Sequence, residues 1–191
     1  YIINKPAINI AISLYGSGSH IMAYVLADRF KLPLDKLRFK VINHLNGAIA
    51  SHAAGNTDIF LWERATTQPA VAAGHFTFYD VLPAPWPAFL IVGNTKTLHD
   101  KKLTEPAFQL LNEVLLEANK RHNAPDFVEQ IVGFYHLDAN LVAEWAKHVK
   151  WSDDGAVDAG MMHLVHRFLV NCGLQLPDIK RFDRYILKPD A

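Results

Sequence analysis

A chain of 191 residues, half of them hydrophobic and a fifth charged, is long enough for one large domain or two small lobes around a sizeable core. Its 19 Lys and Arg balance its 19 Asp and Glu, and no basic run breaks that balance, which argues against a nucleic-acid partner. No apolar run is long enough to span a bilayer, and the single cysteine, Cys172, excludes an internal disulfide.

Ile8, Ile10 and Ile12 alternate with Asn9, Ala11 and Ser13, the period of a strand. Glycines and serines then break the strand. From Ser19 the pattern turns helical, with Ile21, Met22, Val25, Leu26 and Phe30 on one face. Residues 39–42 read as a second strand, and residues 47–54 as a short helix stopped by Gly55. Residues 59–62 form a third strand, followed by a helix through Val71. Residues 76–82 and 88–92 read as a fourth and a fifth strand. Beyond Asn94 the chain becomes helical. A long amphipathic helix over 105–121 carries Phe108, Leu111, Leu115 and Ala118 on one face. Pro125 suits the first turn of the next helix. Asp138 suits the N-cap of a third, which holds Leu141, Val142 and Trp145. Residues 156–172 form a last helix ended by Gly173, with Cys172 as a small buried hydrophobe. Strand–helix alternation implies an α/β fold, with mostly parallel sheets and helices on both faces. The expected division is an α/β ligand-binding lobe over 1–84, then a crossover strand and the helical part of the other lobe over 85–191.

Three segments carry the chemistry. Tyr15-Gly-Ser-Gly-Ser-His20 is a turn between a strand and a helix. Gly16 and Gly18 let backbone approach a ligand, and the helix start offers unpaired N–H groups to an acidic group. Ile21 stands where a dinucleotide fingerprint needs its third glycine, and no Gly-Lys-Ser/Thr follows to make a phosphate loop. The bland reading is a turn with a serine cap. At the end of the third strand, Trp62 offers a flat face for a ring, Glu63 an acceptor for a donor group, and Thr66 and Thr67 two hydroxyls at a helix start. The alternative there is a core Trp, a solvated acid and a threonine cap. Pro83-Ala-Pro-Trp-Pro87 is stiff, because each proline fixes its own φ and restricts its predecessor. Trp86 either lines a cleft or plugs the space beneath a crossover.

The ten histidines supply no converging ligand set, although His163 and His166 share a helical face. No metal or other cofactor is expected. There is no Gly-x-Ser-x-Gly elbow and no Cys/His pair for nucleophilic catalysis.

Taken together, Gly16-Ser-Gly-Ser-His20, the series Gly55, Asp58, Phe60, Trp62, Glu63, Thr67 and Pro69, and the Pro83 to Pro87 crossover resemble the type II periplasmic-binding-protein superfamily. Within it, the chain is similar to ABC-transporter substrate-binding proteins for nitrate, sulfonates and thiamine precursors. The resemblance covers residues 6–93. It implies two lobes with a ligand between them. Only five residues precede Pro6, so the first lobe reads as incomplete, either because the chain is partial or because a reduced homologue completes its core with a partner. The expected function is non-catalytic binding of a pyrimidine-like, sulfonate-like or related solute. The expected contacts are Gly16, Ser17, Gly18, Ser19, His20, Trp62, Glu63, Thr66, Thr67 and Trp86. An ABC-transporter membrane component is the implied partner, with no nucleic acid and no membrane span of the chain's own. Its place is the periplasm for an exported bacterial protein, or the cytoplasm for a eukaryotic homologue. The alternatives are a thiamine-pyrimidine-precursor enzyme of the same fold, whose cysteine-rich cluster this chain lacks, and an interaction protein that has lost its ligand.

Overall fold

The computed structural model describes residues 4–94 and 100–186. The chain divides into two compact units, Tyr1–Trp86 with His166–Leu176, and Pro87–Val165 with Pro177–Ala191.

The first unit is built on a three-stranded parallel sheet of order β2-β1-β3, with β1 at Ile8–Ile12, β2 at Leu37–Val41 and β3 at Ile59–Phe60. β1 takes the centre because Ile8, Ile10 and Ile12 on one face and Ala11 on the other are all wholly buried. The isoleucines pack with Ala23 and Ala27 of helix α1 (Gly18–Phe30) and with Leu32 and Leu37. On the other face Ala11 meets Ile42 and Ala48 of helix α2 (Leu45–Ala53), with Phe60 and Phe76 beside them. Small alanines at the contacts let both helices lie close to the sheet. Gly47 shows the same economy: a Cβ built there would fall 2.1 Å from the Ile42 carbonyl oxygen. Helix α3 (Arg64–Ala72) follows β3 directly.

Strand register is fixed near the start of β1. The Asp58 carboxylate accepts from the Asn9 backbone N–H at 2.9 Å and from the Asn9 side-chain amide at 3.3 Å, and it pairs with the Lys5 ammonium. Burial pushes this carboxyl group up, but the Lys5 ammonium and the Asn9 amides outweigh it and hold Asp58 below the ordinary aspartate range.

The second unit contains helices α4 (Lys101–His122), α5 (Phe127–Tyr135) and α6 (Ala139–His148). Helix α7 (Ala159–Asn171) begins in it and ends in the first unit. Asp138 caps α6 by accepting from the Leu141 N–H at 3.0 Å. Phe127 stacks on Trp145 and meets His122 edge-on, while the His122 Nε2 lies 3.0 Å from the Ala146 carbonyl. Pro125 stands in the turn before α5 rather than in its first turn.

Two expected strands differ. Residues 76–82 and 88–92 take no regular secondary structure and join no ladder among the described residues. A strand needs a neighbour for its amides and carbonyls, and apolar alternation supplies only the side-chain half of that requirement. Phe76 still enters the core beside Phe60, whereas Tyr79, Phe89 and Val92 are exposed.

Candidate functional site

All three strands run parallel, so their carboxyl ends meet at one edge of the sheet, where open α/β sheets bind ligands. Two of the three sequence segments sit at this edge. Ala11 is opposite Phe60, so Ser13 and Trp62 each lie two residues beyond a paired position on neighbouring strands.

The turn at residues 14–20 is closed by its own side chains. Gly16 has φ +79°, a conformation that a Cβ disfavours. Ser17 is the N-cap of α1, its Oγ accepting from the His20 N–H at 3.4 Å. Ser19 Oγ accepts from the Ser13 N–H at 2.9 Å and shares a hydrogen bond with Ser17 Oγ at 3.0 Å. Gly16 donates its N–H to His20 Nδ1 at 3.0 Å. The side chains of Ser17, Ser19 and His20 therefore hold the loop. They do not use the amides of Gly18 and Ser19, the first of α1, which have no acceptor within the helix.

His20 is buried, and its ring meets Tyr15, Tyr24 and Phe39 edge-on at 5.2, 5.1 and 4.6 Å. Because Nδ1 is an acceptor, the neutral ring carries its proton on Nε2. That atom is buried and, among the described residues, has no hydrogen-bond partner. Burial pushes the imidazole pKa below its ordinary value.

At the end of β3, Trp62 stacks on Phe60 at 5.2 Å, and Phe60 stacks on Phe76 at 5.4 Å. Trp62 and Phe60 are two apart, as same-face strand neighbours are. The stack leaves Trp62 41 % exposed, a supported ring at the sheet edge. Glu63 turns inward on its own helix. Its Oε1 accepts from the Ala65 N–H at 2.8 Å and its Oε2 from the Thr66 N–H at 2.7 Å, which makes it the N-cap of α3. The Thr66 and Thr67 hydroxyls donate to the Glu63 carbonyl at 3.2 and 3.0 Å. Next in sequence, exposed Arg64 lays its guanidinium over the Phe78 ring, 4.8 Å from the centroid. Sequence reasoning passed over Arg64, although a basic residue directly after an acid that can act as a helix cap is a readable signal.

Trp86 packs against Phe168 of α7 with ring centroids 5.7 Å apart. Among the described residues no hydrogen bond or ring contact joins it to Trp62 or to the 16–19 turn, nor any that joins those two to each other. Among the described residues there is also no group of three or more His, Cys, Asp or Glu placed to hold a metal ion. No helix there is long and apolar enough to cross a membrane.

Residues 3–76 match the family described as Ca3427-like PBP, a stretch that holds the 16–20 turn and the 62–67 segment but not Trp86. Among solved structures the chain is similar to the Candida albicans CA3427 gene product, described as defining a new family with the generic periplasmic binding protein structural fold. The TM-score is 0.75 and the identity 19 %, over 94 % of this chain and 62 % of that one. At this identity the likeness establishes the fold, and the chain has the periplasmic-binding-protein fold. It spans 62 % of the length of the structure that it matches. No curated protein matches it in sequence.

Proposed function

We propose that this chain binds a small organic ligand, without transforming it, at the carboxyl edge of the β2-β1-β3 sheet. The observation that carries the reading is the supported, exposed ring of Trp62, one strand away from the open helix start at Gly18 and Ser19. A ring on the ligand stacks on Trp62. A polar or acidic group on the ligand takes the α1 amides. The charge of this edge supports an acidic group. Both Glu63 oxygens are used within α3, and the guanidinium of Arg64 rests on a ring rather than on a carboxylate. Among the solutes suggested by the family resemblance, a sulfonate-like compound fits better than an amine. On this reading the chain works as a transporter substrate-binding protein does, delivering its solute to a membrane component.

The test is a thermal-shift screen of the chain with aryl sulfonates, pyrimidines, nitrate and polyamines. A ligand at a hundred times its dissociation constant adds about 2.7 kcal/mol of stability. Stabilisation by aryl sulfonates, abolished by Trp62→Ala, is the expected result. Stabilisation by polyamines alone would overturn the acidic-ligand reading, and turnover of a bound compound would overturn the non-catalytic one.

A further inference from the structure

We propose that His20 is a protonation latch: neutral, it holds the 14–20 turn shut through Gly16, and protonated, it leaves its ring cluster and releases the turn.

The argument is geometric. The ring has two nitrogens and one acceptor role to play. Nδ1 accepts the Gly16 N–H at 3.0 Å, a bond that exists only while Nδ1 carries no proton. Adding a proton there turns acceptor into donor and sets two N–H groups against each other. The imidazolium also needs an acceptor at Nε2, and that buried atom has none among the described residues. Among the described residues no charged side chain is bonded to the ring. The groups whose rings face His20 are Tyr15 from the turn, Tyr24 from α1 and Phe39 from β2, and neither tyrosine ionises in the acid range. A charged group buried without an acceptor or counter-charge is expelled or stays neutral. Expulsion has an open route, because Tyr15, the ring over one side of His20, is itself 66 % exposed.

Release has a defined reach. Gly16 loses the acceptor that stabilises its left-handed conformation. The adjacent serine bonds, Ser17 Oγ to the His20 N–H and Ser19 Oγ to the Ser13 N–H, depend on the backbone that Gly16 anchors. The sheet does not depend on it, since Ile8, Ile10 and Ile12 pack on Ala23 and Ala27 further along α1. The latch therefore opens locally, at the start of α1.

The experiment follows the Gly16 and Ser19 amides and the His20 ring nitrogens by NMR between pH 8 and pH 4.5 in the intact chain. The expected result is a shared midpoint below 6.5 for His20, Gly16 and Ser19, with the Gly16 amide exchanging at least tenfold faster on the acid side. Amides of β1 and β2 stay unchanged. His20→Asn, which keeps an acceptor near the Nδ1 position and cannot be protonated, removes the transition. Three results would overturn the proposal: a ring that titrates while Gly16 is unmoved, a ring midpoint at 6.5 or above, or loss of the turn and the sheet in a single step. The wild-type titration alone decides between these, whether or not the variant folds.

Discussion

Asn9 and Asp58 hold each other by three hydrogen bonds: the Asp58 N–H donates to the Asn9 carbonyl at 2.7 Å, and the Asp58 carboxylate accepts from the Asn9 backbone and side-chain amides at 2.9 and 3.3 Å. The pair sits where β1 begins and the loop before β3 ends, so it locks β3 beside β1 and thereby places Trp62 next to the turn that follows Ser13.

Asp58→Ala leaves the Asn9 amides and the Lys5 ammonium without their acceptor. Loss of a partly buried, charge-assisted cluster costs about 1–3 kcal/mol. A urea midpoint equal to that of the wild type would contradict it. The folded-state pKa of Asp58 lies below its ordinary value, so its contribution is complete above about pH 4 and fades as pH falls through the lowered pKa. The variant's stability profile should lack that acid limb.

Glu63→Ala removes the cap of α3 and frees the Ala65 and Thr66 amides. A lost N-cap costs about 0.5–2 kcal/mol. Glu63→Asp should recover part of it, because a shorter carboxylate is itself a good cap. Chemical denaturation of the three proteins gives the order wild type, Asp, Ala. Full stability in the Ala variant would show that the cap contributes nothing.

Gly47→Ala places a methyl group 2.1 Å from the Ile42 oxygen, a backbone atom that cannot swing away. Helix α2 must move off the sheet, and overpacking of this kind costs about 1–3 kcal/mol. Helix α2 carries Ala48 and His52 against Phe60 and Phe76, the support of Trp62, so Trp62 fluorescence should change with the shift. A stabilised variant, as helix propensity alone would suggest, contradicts the close-approach account.

His20 adds a second pH dependence. Burial lowers its pKa in the folded chain, so the unfolded chain takes up the proton first as pH falls. Its contribution is complete above the unfolded value of about 6.5 and declines as pH drops toward the folded value. Melting temperatures should therefore begin to fall near pH 6.5, well before Asp58 titrates, and His20→Asn should flatten that first decline. A wild-type profile level from pH 7 to pH 5 would contradict it.

Much of this was legible in the sequence. The isoleucine alternation gives β1, and the βα repeats place β1, β2 and β3 in one parallel sheet. Asp138 caps its helix as its position suggests. Residues 76–82 and 88–92 show the limit of such reading, because side-chain pattern reports a preference for extended backbone but not a hydrogen-bonding neighbour. The site shows another limit. Ser17, Ser19, Glu63, Thr66 and Thr67 are polar residues at helix starts, and both ligand contact and self-capping demand that composition. Only the geometry reveals that each has an internal partner. Arg64 went unread because an exposed arginine is ordinary, and its place over Phe78 is a tertiary fact.

The most direct measurement is an NMR titration of the intact chain with an aryl sulfonate, following the Trp62 indole and the Gly18 and Ser19 amides. The account predicts that these signals shift together along one binding curve. Trp62→Ala should weaken the binding at least tenfold, and Arg64→Gln should weaken it less. Shifts confined to other residues, or binding unchanged by Trp62→Ala, would contradict a ligand site at the carboxyl edge of this sheet.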